Sequence, residues 1–583
     1  MKRRLWISLR VLLASGLLFA LGALEQLSRP ETQLQALLPE GALLSIEARD
    51  FNSLLQDWNT SEEKRAWLTS DNHAVFSNSR LFARLSQAQD EFSAAAGLPA
   101  DGSLLEKVAG QQSCLALYDI GNLEFVYVTR LEQQKIESTP LWQIRGKFDQ
   151  RSEAGSPFYV HKDSQSSRVA AFAARDGWLI LGTREDLVAG VLDRMAGAAT
   201  HSLATEGWFA EAFRQAPAER GDLRMVLNIE KIVRTPYFRS YWIQRNITEM
   251  TQYTSAVSDL YRTSQSYREE RVLHRRTGQA IQNPADVGDI AALAPEDAAF
   301  FRAQAEPNPL VVLQTLREDL LESSPGRLAA STASAPSAAN LENAGGAGKF
   351  DVRIDQAPTA VTQSDAYASL RDLLLAHPPE ASLEVYSTRA PRGSVFVSIQ
   401  EAVLLAAPQD WDRDAICEAI TSALVPGLTT ARTGVKWVKR SSSENGPGNS
   451  EEYWSIDGAV PLFLSVEGRQ LILANDATLL EHLIARRQEA TPVKDKDNLT
   501  YVASFRHTQE RSNFRQLVAQ LDLAGHRGEP DQQGGAVSGE NPAFFSGDAA
   551  SLSRMFSKVD SERIEEHDHG AELTQTVTYA WAH

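Results

Sequence analysis

The densest grouping of chemistry-bearing side chains is Glu565-Glu566-His567-Asp568-His569, close to the last residues of the sequence. Imidazoles two residues apart point the same way from an extended backbone, and a flanking carboxylate can add an oxygen donor. His567, His569 and Glu566 are therefore the candidate ligands for a divalent cation, and a metal-dependent hydrolase with an unfamiliar site is the chemistry they imply. The plain alternative is a solvated acidic turn ahead of a final strand. No fourth ligand, and no partner that would orient the imidazoles, stands at a suitable spacing. The other histidines, among them His161, His377, His482 and His507, share no spacing.

Other constellations are missing. The sequence holds no Gly-x-Ser-x-Gly elbow, no His-Glu-x-x-His, no Cys-x-x-Cys and no Gly-x-x-x-x-Gly-Lys loop. Gly345-Gly346 and Gly534-Gly535 fall in low-complexity stretches rather than between a strand and a helix, so neither reads as a phosphate cradle. No catalytic residue and no cofactor is assigned, which favours a non-enzymatic protein.

The elements available to position such groups recur along the chain, and order is the test of a repeat. Leu37-Leu38-Pro39-Glu40-Gly41-Ala42-Leu43-Leu44 resembles Leu293-Ala294-Pro295-Glu296-Asp297-Ala298-Ala299-Phe300, each a proline-gated turn feeding a strand. Ser113–Tyr118 followed by Phe125–Val128 matches Ser382–Tyr386 followed by Val395–Val397. Leu179-Ile180-Leu181 with Asp186-Leu187 and Val191-Leu192 matches Leu471-Ile472-Leu473 with Thr478-Leu479 and Leu483-Ile484, at a constant separation of 471 − 179 = 292. Each of these is preceded by an acid-Gly turn, Asp176-Gly177 or Glu467-Gly468, and followed by a helix. Leu223–Leu227 with Tyr237-Phe238 matches Leu499–Ala503 with Phe514.

The pattern gives an α+β class: two related modules, 37–244 and 293–523, of antiparallel hairpin strands with amphipathic helices. Module one carries extra helix over 51–70 and 76–96, with Leu81, Leu85 and Phe92 on one face. Between the modules, a helical linker is expected over 245–292. Its core, Asn246–Arg276, places Ile247, Met250, Tyr253, Val257, Leu260, Tyr261 and Tyr267 at helical spacing, and the Arg268-Glu269-Glu270-Arg271 cluster is explained by pairing along that helix. A helix Pro309–Leu321 precedes an insertion over 323–348 that is too small and polar to pack, as is 525–542. Residues 543–583 read as a helix and a last strand, Glu572–Trp581, closing a sheet.

At the other end, Met1-Lys2-Arg3-Arg4 precedes the apolar run Leu5–Leu24, interrupted by Arg10. Twenty helical residues rise about 30 Å, enough to cross a hydrocarbon core, and Arg10 can snorkel to the headgroups. Residues 1–25 thus read as a transmembrane signal anchor of a bacterial inner membrane, single-pass, with the bulk outside the cytoplasm. The alternative is a signal peptide cleaved near Gly22 or Ala23, giving a periplasmic or secreted protein.

The sequence has 583 residues and a net charge of −17, which argues against a nucleic-acid partner, since such a partner demands a basic face. Cys114 lies in an alternating apolar run and Cys417 on the apolar side of a helix, so two separate buried thiols are expected rather than a disulfide. Trp178, Trp437, Trp454 and Trp581 fall in or beside strands, where packing is the default.

The apolar N-terminal segment, the Leu-Pro-Glu-Gly-Ala opening of module one, its strand Leu43-Leu44-Ser45-Ile46-Glu47 and the repeated Leu-Ile-Leu-then-helix unit resemble an uncharacterised bacterial envelope family, domain of unknown function 3352. The resemblance implies an anchored extracytoplasmic protein and carries no functional residues over; the insertion at 323–348 departs from it. The expectation is a binding or scaffold protein of the cell envelope, with a protein, lipid or glycan ligand held in an apolar or aromatic groove between the modules. The alternatives are the metal-dependent hydrolase above and an assembly or quality-control helper for exported proteins that uses the linker helix as its contact.

Overall fold

The computed structural model describes residues 34–69, 73, 76–198, 201–236, 250–277, 286–321, 365–389, 398–424, 436–441, 452–456, 461–490, 497–507 and 559–581. Among these described residues the fold mixes helix with one large antiparallel sheet of 20 strands. In chain order the first ten are β1 (Leu44–Ala48), β2 (Ser113–Asp119), β3 (Glu124–Arg130), β4 (Asp149–Glu153), β5 (Ser156–Lys162), β6 (Val169–Arg175), β7 (Trp178–Gly182), β8 (Leu223–Leu227), β9 (Tyr253–Arg262) and β10 (Ser266–Arg275). The second ten are β11 (Phe300–Ala305), β12 (Ala381–Arg389), β13 (Ser398–Ala406), β14 (Val438–Ser441), β15 (Glu452–Ile456), β16 (Leu462–Glu467), β17 (Gln470–Ala474), β18 (Leu499–Arg506), β19 (Val559–Asp568) and β20 (Glu572–Trp581).

The pairings place them side by side as β4-β5-β6-β7-β3-β2-β1-β8-β9-β10, then β20-β19-β18-β11-β12-β13-β17-β16-β15-β14. The second half has the strand order of the first, and the halves meet where β10 pairs with β20. The hairpins flanking that seam agree in length. β9 and β19 are separated by 559 − 253 = 306 residues, β10 and β20 by 572 − 266 = 306, and all four strands have ten residues.

Local chemistry accounts for the tight turns. Asp176 and Gly177, with φ of 50° and 77°, join β6 to β7, and Gly468, with φ of 52°, opens the turn from β16 to β17. Both follow the preference of two-residue hairpins for left-handed backbone. Strand alternation then divides the apolar residues between the two faces. On one face Tyr127, Leu181 and Phe172 pack under Phe92, Ala95 and Ala96 of the helix Arg80–Ala96; further along, Val403, Leu405 and Leu471 pack under Ile416 and Ile420 of the helix Arg413–Leu424. On the other face Val126, Val128 and Ile180 meet the helix Glu185–Met195, and Leu404 and Ile472 meet the helix Ala477–Glu489.

The expected linker helix is not present. Where 245–292 is described it holds the β9–β10 hairpin, followed by a single helical turn at Gly288–Ala291. Ser255 to Asp259 are all buried, so β9 is covered on both faces and lacks the polar alternation that marks a strand, while its tyrosines and Val257 also fit a helical spacing by coincidence. The turn is built on Thr263, whose Oγ1 accepts from the backbone N–H of Gln265 and Ser266 at 3.1 and 2.9 Å. Arg268 pairs with Glu270 at 2.9 Å and Arg271 with Glu269 at 2.7 Å, at the two-residue spacing of one strand face. The helper hypothesis loses the helix on which it rested.

Three smaller differences follow from packing. Glu572–Trp581 is a strand but lies at the centre of the sheet, so it joins the halves rather than closing an edge. Leu85 is 42% exposed, whereas Phe92, seven residues on, is buried. Cys114 is buried and Cys417 half-buried, both free. The anchor at 1–25, the stretches 323–348 and 525–542, and residues 543–558 of the expected C-terminal helix lie outside the described residues. No helix among the described residues is long and apolar enough to cross a membrane.

Candidate functional site

A cleft of about 530 Å³ opens where β11, β12 and β18 face the helix that follows β11. Register builds its floor: Phe300 of β11 lies opposite Phe505 of β18 and Tyr386 of β12, and two residues along, Arg302 lies opposite Glu384. The rings of Phe300 and Phe505 sit 6.4 Å apart in a tilted contact. Arg302 is buried, and its Nη2 donates to both Glu384 carboxylate oxygens at 2.7 Å. Such a charge-assisted bond holds both side chains in one orientation.

The opposite wall is the helix Pro309–Thr315, capped by Asn308, whose side chain accepts from the N–H of Leu310. It continues as a π-helical segment, Leu316–Leu321, a widened turn that recurs at functional sites. Leu316, Leu320 and Leu321 point into the core, and Gln314, Thr315, Glu318 and Asp319 line the cleft. Gln314 Nε2 donates to Glu318 at 2.8 Å.

The matching row in the first half has different chemistry. Phe300, Phe505, Glu562 and Tyr579 lie in one cross-strand row, as do Leu44, Leu227, Ala256 and Leu273. The aliphatic row packs against Ile229 and Ile232 of the short helix after β8. In the second half the row carries rings and a carboxylate, and burial beside Glu562 pushes the Tyr579 phenol up to about 12. A second cleft of about 530 Å³ lies by the helix Phe51–Thr60, lined by Arg49, Asp57, Asp222 and Arg262; there the Arg262–Asp57 pair at 2.8 Å matches charge internally.

The sequence-derived metal candidates are placed apart from this cleft and from one another. Glu566 accepts from Gln575 Nε2 at 2.7 Å on one face of β19. His567 alternates to the other face, with Nδ1 2.9 Å from the Asp497 carbonyl oxygen. β19 ends at Asp568, so His569 falls in the turn ahead of Gly570, whose φ is 82°, and the expected alignment of the imidazoles does not arise. Among the described residues no three His, Cys, Asp or Glu side chains are grouped to hold a metal. The cleft residues escaped sequence reasoning because they carry no motif. The usable signal was the repeat itself, which sets Phe300 where the first half has Leu44.

These features define an antiparallel-sheet α+β protein with a ligand-sized cleft. No family model and no curated protein matches the chain. Two solved structures show weak likeness, both of TP0453. Crystal form III has a TM-score of 0.22 and 10% identity over 43% of this chain and 82% of that one; crystal form IV has a TM-score of 0.21 and 8% identity over 41% and 79%.

Proposed function

We propose that this chain is a non-enzymatic binding protein of the bacterial cell envelope, held at the outer face of the inner membrane by residues 1–25, and that its two halves are related modules of which the second carries the ligand site. The observation that carries the reading is the cleft floored by Phe300, Phe505 and Tyr386 with the fixed Arg302–Glu384 pair beside them. Its volume and its mixture of rings with a few placed polar groups suit a ligand-binding pocket. The equal strand order of the halves supports the duplication. The resemblance to domain of unknown function 3352 and the cationic, apolar N-terminal segment support the location. The site lies within the second half instead of in a groove between modules. The test is to extract the full chain from envelopes in mild non-ionic detergent and identify by mass spectrometry the small molecules released on denaturation. A ligand retained by the native chain and lost from the Phe300→Ala/Phe505→Ala variant is expected. Equal retention by both sinks the proposal.

A further inference from the structure

We infer that Arg262, Arg275 and Asp568 decide which halves of the sheet can pair: they admit the second half beside β10 and exclude a second copy of the first half. This stands on register at the seam, apart from the cleft, and its test leaves the ligand reading untouched. Each residue of β10 has its counterpart in β20 306 positions later, and the seam pairs the two strands about a local twofold axis. Glu270 faces Thr576, its own counterpart. Tyr267 faces Tyr579, the counterpart of Leu273, and Leu273 faces Leu573, the counterpart of Tyr267. The ends repeat as well: the Arg275 N–H donates to the Ala571 carbonyl at 2.9 Å, and the Trp581 N–H to the Gln265 carbonyl at 2.8 Å. Even the bulge that sets Arg275 opposite Tyr253 recurs where Trp581 faces Val559. A surface that meets its own counterpart about a twofold axis is self-complementary, which is the condition for pairing identical copies. By its main chain alone, β10 would accept β10 of another molecule as readily as β20.

The side chains break this equivalence. At one end buried Arg275 holds Asp568 through both carboxylate oxygens. At the other end the counterparts of that pair are Trp581 and Arg262, on either side of the Tyr267 ring. If β10 paired with a second β10, each end would set Arg275 beside Arg262 of the other copy. Arg262 is itself paired with Asp57 at 2.8 Å, and it brings a cation where Arg275 needs a carboxylate. A buried charge deprived of its partner is strongly destabilising. At the axis Glu270, held by Arg268 of its own strand at 2.9 Å, would face Glu270 of the other copy, and like charges directly opposite repel. The second half supplies Asp568 and Thr576 at those two places instead.

The experiment moves the carboxylate from one half to the other. Full chains carrying Glu270→Cys are refolded from urea at high concentration in non-ionic detergent under reducing conditions and then oxidised. Directly opposed residues of antiparallel strands lie about 4.5–5.5 Å apart at Cα, within disulfide reach, so two β10 strands in this register link at position 270. The readout is the disulfide-linked peptide that contains residue 270 twice, measured by mass spectrometry. With the seam otherwise native, little of it is expected, because the tethered second half is both matched and at high effective concentration. Asp568→Asn alone should not raise it, since the other copy still brings Arg262. Arg262→Asp/Asp568→Asn gives Arg275 its carboxylate only on another copy, while exposed Asp57 can turn into water, and should raise the link at least about tenfold. Arg262→Asp alone, which leaves the Arg275–Asp568 pair in place, should raise it less. Equal linking in the native-seam chain and the combined variant, or no rise in the combined variant with its circular dichroism unchanged, overturns the inference. If the combined variant does not fold, Arg262→Asp alone decides: a yield above the native-seam chain supports the inference and an equal yield overturns it.

Discussion

Arg275 of β10 grips Asp568 of β19 across the intervening β20, with its two terminal nitrogens 2.6 and 2.7 Å from the two carboxylate oxygens. The side chains are 6% and 4% exposed, so the pair is desolvated, and Arg275 also donates to the Gly570 carbonyl at 2.8 Å. At the related end of the seam, 306 residues away in each case, stand Trp581 and Arg262; there Tyr267 packs edge-on to Trp581 at 5.0 Å and Arg262 lies over the Tyr267 ring. One end of the junction is held by charge and the other by rings. Leaving one buried charge without its partner costs on the order of 3–5 kcal/mol. Arg275→Leu and Asp568→Leu are each expected to lower stability by that order in urea unfolding, and the double variant by much less than the sum. Additive losses would remove the pair as a clamp between the halves.

The strands bounded by tight turns and the order of the repeat were legible in the sequence, because Asp176-Gly177 and Gly468 force local backbone that no long-range contact has to supply. β9 was not. Its middle, Ser255 to Asp259, is buried on both faces by neighbours that come from elsewhere in the chain, so polarity does not alternate, and Asp259 is tolerated there because Arg224 meets it at 2.6 Å. A buried, paired carboxylate cannot be told from an exposed one by residue type. The cleft was hidden for a related reason: Phe300, Phe505 and Glu384 come from three separate stretches and meet only through strand register. The 306-residue repeat of the hairpins would have exposed the linker as strand, since the expected strand Glu572–Trp581 has β10 as its counterpart.

Gly110 precedes β2 at a close approach of two backbones. A Cβ there would collide with the Arg130 carbonyl and with Thr129 Oγ1, an atom already bonded to Ser113 Oγ at 2.7 Å. Its obstacles are backbone and a buried hydroxyl, neither of which can swing aside. Gly110→Ala is expected to cost about 1–3 kcal/mol by thermal or urea unfolding. Gly102→Ala is the control. Among the described residues nothing lies within 4 Å of its added Cβ, and a helical position gains from alanine, so its change should stay within about 1 kcal/mol of neutral or be stabilising.

The two thiols should differ from an exposed cysteine and from each other. Burial raises the Cys114 thiol well above its ordinary range, with the nearby Glu47 carboxylate acting in the same direction. Burial pushes Cys417 up to about 11, opposed by Arg413, and leaves it partly accessible. Because the thiolate is the reactive form, iodoacetamide at pH 8 is expected to modify Cys417 slowly and Cys114 not at all in the native chain, and both rapidly in urea. Rapid native labelling at Cys114, read by peptide mass spectrometry, would contradict its burial.

His274 gives the protein a defined response to acid. It is 5% exposed on β10, and neither ring nitrogen has a hydrogen-bond partner among the described residues. Ser255 on β9 and Glu572 on β20 are its register neighbours, and Glu211 of the helix Gly207–Arg214 is the charge that acts on it. Burial lowers its pKa; Glu211 opposes this, and burial is the larger effect. The neutral ring is thus favoured in the folded state. An unfolded histidine titrates near about 6.5, so below that pH the unfolded chain binds the extra proton first, and stability falls with acid until the folded-state value is passed. Each unit of depression is worth about 1.4 kcal/mol. His274→Leu keeps an apolar group of similar size and removes the proton site. In urea titrations from pH 8 to pH 5, the wild-type chain is expected to lose stability relative to His274→Leu below about pH 6.5, while the gap between them stays constant above it. Parallel profiles across the whole range would mean that folding leaves the His274 pKa unchanged, and a gain of wild-type stability relative to His274→Leu on acidification would mean that Glu211 outweighs burial.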